Sequence, residues 1–312
     1  MRKPESIEEV RALERVAIPQ GGCEVYHVED TVRRLIAVIL TGEQAPSLSA
    51  SIVEYTLETG DRVTAACHIG EGHYPENQDR IVINIDGSRI SGIDGFKYDG
   101  ARAADILGEQ FIFDDADRGA HDAHDTMKTE IAWNSGACFA QGHIVKTDAG
   151  KQWESVQAGD VHMVVLNEHG EKMWESKNEN TVQVAVESGA LTEDEALYEG
   201  NRGGILNYVK PNEQLALTHN DPCPLQPGYR VIIASDGLFD NLTTREVLQN
   251  IAGLAPRAAI EKVGEIVQRR MQNTALRQEA VDGRRKKKGE FSDGFLSKPK
   301  PDTISIAIID IV

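Results

Sequence analysis

The sequence predicts an α+β fold in which antiparallel sheets are flanked by helices. Three observations lead to it. Short apolar runs bounded by Gly, Asp and Asn recur from about residue 51 onward, the pattern of many short strands. These runs do not alternate strictly with helices, as a parallel doubly wound sheet requires. Between two of them stands Asp86-Gly87, a hairpin signal, because tight turns need residues that tolerate left-handed backbone.

From the N-terminus, Ser6 and Glu9 have capping-box spacing and open a short helix, Arg34–Leu40 reads as a strand, and the stretch from Gly42 to Ala50, with Pro46 inside it, reads as a connector. Residues 1–48 are therefore expected to be an N-terminal extension and residues 49–312 one domain. Within that domain the expected strands are Ser51–Leu57, Arg80–Ile85, Arg89–Ile93, Val161–Leu166, Tyr229–Ser235 and Thr303–Val312. The expected helices are Gly100–Phe111, Ala120–Trp133, Thr192–Leu197, Thr243–Ile251 and Pro256–Ala280. Start signals mark three of them: Thr192 with Glu195, Thr243 with Glu246, and Pro256 in a first turn. The last sets Ile260, Val263, Val267 and Met271 on one face, so it is expected to pack on a sheet.

Composition narrows the function classes. The 312 residues include 33 Lys+Arg and 50 Asp+Glu, a net charge of −17, and the one short basic run, Arg284–Lys288, reads as a solvated loop ahead of the last strand. Gripping a phosphate backbone rests on Lys and Arg displacing counterions, so a nucleic-acid partner is not expected. The longest aliphatic run is the six residues Leu35 to Leu40, far short of the roughly 18 to 20 that span a bilayer, so no membrane partner is expected either. The first residues carry charges throughout and have no apolar segment of the secretory kind. Cys23, Cys67, Cys138 and Cys223 are widely spaced, which fits reduced buried thiols. A cytoplasmic protein is expected.

The aspartates at strand ends point to chemistry. If Asp86-Gly87 is the loop of a hairpin, facing residues sum to 173, which sets Asp79 opposite Asp94. Facing side chains in an antiparallel pair are about 5 Å apart, and two like charges there repel unless something neutralises them. A divalent cation would do so. The arrangement recurs where Tyr229–Ser235 runs into Asp236-Gly237, where Asp302 precedes the last strand, and where Gly159-Asp160 precedes Val161. Carboxylates with little histidine suit Mg²⁺ or Mn²⁺, and two such ions about 3.5 to 4 Å apart can hold a hydroxide for in-line attack on phosphorus.

In order along the chain, Asn77-Gln78-Asp79, Asp94-Gly95, Gly136-Ala137-Cys138-Phe139-Ala140, Gly159-Asp160, Ala234-Ser235-Asp236-Gly237-Leu238-Phe239-Asp240 and Asp302-Thr303-Ile304-Ser305 resemble the motifs of the metal-dependent type 2C (PPM) Ser/Thr protein phosphatases. The resemblance runs from about residue 51 to the C-terminus. It implies a β-sandwich of two antiparallel sheets flanked by helices, in four layers α/β/β/α, and makes residues 49–312 a phosphatase-like catalytic domain. It also implies two Mn²⁺ or Mg²⁺ ions and a third, weaker one. By this likeness Asp94 bridges the two ions, Gly95 offers its carbonyl, Asp236 and Asp302 bind one ion, Asp79 holds metal-bound water, and Asp160 and Asp240 match the third position.

The sequence departs from the pattern in four places, the slightest being Val161 where the family has a serine after Gly-Asp. Gln78 replaces a glutamate. The arginine that grips the substrate phosphate in the family is missing, with Tyr74 at its spacing beside His73. The loop Asp94-Gly95-Phe96-Lys97-Tyr98-Asp99-Gly100 is two residues longer than the family's and holds no histidine to protonate a leaving group. Lys97 and then His73 are the candidates to bind the substrate phosphate in the arginine's place, Lys97 first because it is fully charged at neutral pH. Arg80 is a poorer one, since strand alternation turns it away from the face of Asp79.

Two other groups are read as structural. His121, Asp122, His124 and Asp125 share one helical turn but have no complementary ligand motif nearby, so they read as a solvated helix face. Ser135-Gly136 near Cys138 lacks a nucleophile-elbow pattern. The expected function is thus metal-dependent hydrolysis of phosphoserine and phosphothreonine in a phosphorylated protein partner, with Asp79 and Asp94 at the catalytic centre. The departures leave two alternatives open: a catalytically silent binding protein, and a phosphatase for small phosphate monoesters.

Overall fold

The computed structural model describes residues 15–20, 23–29, 35–42, 45, 47–68, 76–197, 199, 202–272 and 302–312. With strands numbered in chain order, one sheet runs β1 (Arg15–Gln20), β2 (Cys23–Glu29), β3 (Leu35–Leu40), β6 (Asp79–Asn84), β7 (Arg89–Phe96), β8 (Gly136–Thr147), β9 (Gly150–Ala158) and β12 (Thr218–Leu225). The other runs β11 (Lys172–Glu175), β10 (His162–Leu166), β13 (Arg230–Ala234), β14 (Ile304–Asp310), β5 (Arg62–His68) and β4 (Val53–Thr56). Neighbouring strands within each sheet are antiparallel, as the hairpin signals predict.

The layering follows from residues that alternate along strands covered on both faces. On β6, Ile81 and Ile83 enter the core between the sheets while Val82 joins the opposite one. On β13, Val231 and Ile233 face the same central core while Ile232 and Ala234 face outward. Helices α1 (Gly100–Phe111) and α2 (Ala116–Glu130) cover the larger sheet, packing Ile106, Leu107, Phe111 and Met127 on Val82, Ile93 and Phe139. Helix α7 (Pro256–Gln272) covers the smaller sheet with Ile260, Val263, Val267 and Met271, the face its sequence marks out. Each such side chain, fully buried, contributes about 1.5–3 kcal/mol. The result is a four-layer α/β/β/α sandwich.

Most expected elements appear within a few residues of their expected bounds. The second helix starts earlier than expected because Asp115 caps it, accepting from the Arg118 amide at 3.0 Å. Residues 273–280 of the last expected helix lie outside the described residues, as do Ser6, Glu9 and the basic run 284–288. Strands β8 and β9, whose apolar residues are interrupted by Gln141, His143, Lys146, Gln152 and Glu154, pair with each other and are flanked by β7 and β12. Helix α3 (Thr181–Glu187) was equally unmarked, although Asn180 caps it through the Gln183 amide at 2.8 Å.

The hairpin between β6 and β7 has the expected register but a different turn. Asp79 faces Asp94 and Asn84 faces Arg89, yet positive φ falls on Ser88 (49°), not on Asp86 or Gly87. The Asn84 side chain accepts from the Gly87 amide at 2.6 Å and closes the turn. Within the stretch expected as an extension, β3 pairs with β6, and Val38 and Leu40 sit fully buried in the central core. Cys67, Cys138 and Cys223 are buried thiols. Among the described residues no helix is long and apolar enough to cross a membrane.

Candidate metal centre

The strand-end aspartates collect at one end of the sandwich because antiparallel neighbours bring alternate strand ends to the same edge. Asp79 opens β6 and Asp94 lies opposite it near the end of β7. Asp160 sits in the turn between β9 and β10, and Asp302 directly precedes β14. Asp236 follows β13 as the first residue of a four-residue helix, α5 (Asp236–Phe239), and Asp240 is that helix's C-cap. The backbones of β13 and β14 meet there, with the Ser235 amide donating to Ser305 O at 3.1 Å and the Ser305 amide to Ser235 Oγ at 3.0 Å.

Electrostatics report how close these groups are. The Asp94 carboxyl is pushed well above the ordinary carboxylate range, first by burial and then by the negative charges of Asp236, Asp79, Asp302 and Asp160. Burial raises Asp79 to about 6, opposed by the Thr303 hydroxyl, which donates to its Oδ1 at 2.6 Å. The other oxygen, Oδ2, is buried without a hydrogen-bond donor in the protein. Mutually repelling carboxylates around a buried acceptor fit a hard divalent cation with its waters, the chemistry that Mg²⁺ and Mn²⁺ supply. Among the described residues no three His, Cys, Asp or Glu side chains already stand in closed ligand geometry. The donors converge on the edge without closing on a point.

Glycines make the convergence possible. A Cβ on Gly95 would lie 2.1 Å from Gly100 O, because the chain from 95 to 100 folds back on itself beside Asp94. Gly159, at φ 109°, lets the Asp160 turn pass Cys138, whose Sγ would be 2.4 Å from an added Cβ. Burial pushes the Cys138 thiol well up, with the charges of Asp160 and Asp94 adding to it, so it is no nucleophile. His124 is likewise structural, its Nε2 2.9 Å from Glu213 O, and Asp125 pairs with Lys128 at 2.7 Å.

Several residues near the site had no sequence signal. Glu179 accepts from the Gly159 amide at 2.9 Å, from Asn207 Nδ2 at 2.9 Å and from Thr218 Oγ1 at 2.5 Å, and so anchors the turn that carries Asp160. Arg202 is buried with its Nε 3.8 Å from Asp240 Oδ2, and it borders a cavity of about 100 Å³ lined also by Asp160, Asp236 and Asp240. His162 and Glu175, 2.8 Å apart, line the same cavity. A lone arginine in a loop carries no periodicity, which is why only the folded chain reveals it. Of the phosphate-binding candidates, Lys97 is exposed, its backbone in the left-handed region at φ 68°, and His73 lies outside the described residues. Arg80 is buried and spent on structure, bound to Asp105 Oδ1 at 2.8 Å and donating to the Asn77 and Asp79 carbonyl oxygens at 2.7 and 2.8 Å.

Solved structures provide the comparison. The chain superposes on the Ser/Thr phosphatase PstP/Ppp of Mycobacterium tuberculosis with a TM-score of 0.61 and 16% identity, over 80% of this chain and 98% of that one. It superposes on the PPM Ser-Thr phosphatase MsPP of Mycobacterium smegmatis, in complex with cacodylate, at 0.59 and 17%, over 83% and 100%. This is the PPM-type phosphatase fold. PppA of Pseudomonas aeruginosa, described as a key regulatory component of a type VI secretion system, has the same fold at a TM-score of 0.61 and 14% identity, over 83% of this chain and 100% of that one. No family model and no curated protein sequence matches the chain. The likeness to the PPM-type fold is therefore carried by architecture at identities where sequence comparison fails, and it includes the four-layer arrangement expected above.

Proposed function

We propose that this chain is a metal-dependent phosphatase that hydrolyses phosphoserine and phosphothreonine in proteins, using two divalent cations, Mn²⁺ or Mg²⁺. The observation that carries the proposal is the gathering of strand-end carboxylates at one edge, Asp79 facing Asp94 with Asp236, Asp302 and Asp160 near enough to add to the effect of burial on Asp94, an arrangement that costs folding free energy unless cations neutralise it. Asp94, the Gly95 carbonyl, Asp236 and Asp302 are the proposed metal donors, Asp79 the residue that orients water, and Asp160 and Asp240 the donors of a weaker third site. The ions would supply positive charge to a phosphate and a water acidic enough to ionise near neutral pH.

The protein's own groups have defined parts. Asp79, with one oxygen bound to Thr303 and the other without a donor, can accept a proton from a water in the site. Lys97 in the lengthened loop, with His73, is proposed to contact the phosphate oxygens that the absent arginine would hold. Arg202 supplies a guanidinium to the wall of the adjoining cavity. A PstP structure holding 2 manganese ions, with a TM-score of 0.58 and 16% identity over 81% of this chain and 98% of that one, supports the choice of metal by analogy of fold.

The test is a Mn²⁺-dependent assay on p-nitrophenyl phosphate and on a phosphothreonine peptide. Turnover of both supports the proposal. Turnover of the small ester alone would make this a small-molecule phosphatase, and turnover of neither, with Mn²⁺ bound, a binding protein.

A further inference from the structure

Gln78 holds the chain after Asp94 in two ways. Its carbonyl accepts from the Gly95 amide at 2.9 Å, one step past the facing pair Asp79 and Asp94. Its side-chain amide donates to Lys97 O at 2.7 Å. A regular ladder would add a return bond from the Gln78 amide to the Gly95 carbonyl, since facing residues in a hydrogen-bonded antiparallel pair exchange both. Among the described residues that bond is not made. The Gly95 carbonyl, a proposed metal donor, is thus the open end of the ladder, and its direction depends on where the chain goes next.

The chain passes into the lengthened loop through a strained residue. Lys97 sits at φ 68°, a left-handed conformation that a residue with a Cβ keeps only where its surroundings over-determine it. Its carbonyl accepts from Gln78 Nε2 and, at 3.3 Å, from the Gly100 amide. Gly100 closes on the same group, because an added Cβ there would lie 2.8 Å from Gly95 C and 2.9 Å from Gln78 Cδ. The far end of the loop is fastened as well, with the Asp99 amide donating to Ser135 Oγ at 3.1 Å and Asp99 Oδ2 accepting from the Ala132 amide at 2.8 Å. Gln78 is buried, so its bond to Lys97 O is shielded from competing water. A glutamate at position 78 has no N–H to give. Gln78 and the longer loop, two departures from the phosphatase pattern, are therefore one structure.

We infer that Gln78 is a positioning residue of the candidate metal centre, which by holding Lys97 fixes the direction in which Gly95 presents its carbonyl and Asp94 its carboxylate. The inference rests on the proposed metal-dependent reading and adds to it a residue outside the donor set. Groups that orient metal donors act on metal affinity, whereas groups that only support the fold act on stability.

The test is the Mn²⁺ affinity of the full chain by calorimetry, with amide exchange of the EDTA-treated protein followed alongside. Gln78→Met keeps the volume and removes the donor, and Gln78→Ala serves if methionine is not accommodated. Either should weaken Mn²⁺ Kd about tenfold or more and speed exchange of the Gly100 amide by roughly the same factor. Asn84→Ala is the control. At the other end of the same hairpin it loses bonds to the Gly87 amide and to Ile112 O, each 2.6 Å, so it should lower the melting temperature and leave Mn²⁺ Kd alone. An unchanged Kd in the Gln78 variants, while the wild type binds Mn²⁺, overturns the positioning role and leaves the phosphatase reading standing. Equal weakening by Asn84→Ala overturns it too, by tracing the effect to lost stability, as does a wild-type Gly100 amide that exchanges as fast as an open chain. A wild type that binds no Mn²⁺ sinks the metal-dependent reading, and the positioning role with it.

Discussion

Asp79 and Asp94 face each other in a sheet where ordinary pairs gain from contact, and this pair loses by it. The folded chain holds the Asp79 proton up to about pH 6, whereas the free carboxyl releases it near 3.8. In that window the unfolded state binds fewer protons, so the Asp79 contribution falls as pH rises through it and levels off above the folded value, while Asp94, raised in the same direction, adds a fall of its own. Burial would also raise Glu175, but its bonds to His162 and Lys172 bring it down to about 2, so its titration lies below the window. The metal-free protein is therefore expected to melt at a lower temperature at about pH 6.5 than at about pH 4.5, and Asp79→Asn to flatten that slope, as read by thermal denaturation in EDTA. A steeper slope in the variant would remove Asp79 as its source. Asp94→Asn removes the charge that four neighbours oppose. It should abolish metal-dependent hydrolysis, by roughly a hundredfold or more, while the metal-free melting temperature holds or rises. Undiminished turnover would take Asp94 out of the centre.

At the scale of elements, the loop between β7 and α1 shows how a local substitution supports an insertion. Gln78 donates to Lys97 O, and an added Cβ on Gly100 would already press within 2.9 Å of the Gln78 side chain, so the two segments are in direct contact. Gln78→Glu restores the family residue, yet here it sets a carboxylate against a carbonyl and deletes a buried hydrogen bond. The expected cost is about 1–2 kcal/mol by chemical denaturation. A stabilised variant would show that the loop does not depend on that bond. The two strand-end aspartates 236 and 302 are set by another element contact, since an added Cβ on Gly237 would lie 1.8 Å from Thr303 O. Helix α5 is pressed onto the start of β14, which brings both carboxylates to one edge.

For the whole molecule, the candidate centre links distant parts of the chain, and cations bound there should stabilise all of them together. An ion that binds only the folded state adds RT ln(1 + [L]/Kd), about 2.7 kcal/mol at a hundred times Kd. EDTA should lower the melting temperature and Mn²⁺ restore it, and the absence of any shift over a millimolar range would count against the centre. The N-terminal strands belong to the same cooperative unit, because β3 pairs with β6, the strand that opens with Asp79. A chain beginning at residue 49 loses that pairing together with Val38 and Leu40, each fully buried. The loss is expected to reach several kcal/mol, measured as a lower denaturation midpoint; an equal midpoint would mark residues 1–48 as dispensable to the fold.

What the sequence determined by itself was whatever depends on neighbours along the chain or on simple counting. The apolar runs of β6, β13 and β14 announce strands, the capping boxes at Thr192 and Thr243 announce helices, and the pairing arithmetic across one turn puts Asp79 opposite Asp94. The clustering of Asp94 with Asp236 and Asp302 was legible because strands ending in aspartate tend to share an edge when they pair antiparallel. Tertiary structure alone decided the rest. Strands β8 and β9 carry polar residues inside their apolar runs and so do not announce themselves, and they are held by ladder bonds to each other and to β7 and β12. Ser88, not Gly87, took the left-handed position because the Asn84 side chain captured the Gly87 amide. Arg202 reaches Asp240 across a cavity, Glu179 holds the Asp160 turn, and Asp99 clamps two loops 33 residues apart. None of these contacts has a sequence period, because each joins side chains whose separation along the chain is set by the topology and not by the pitch of a helix or the pleat of a strand.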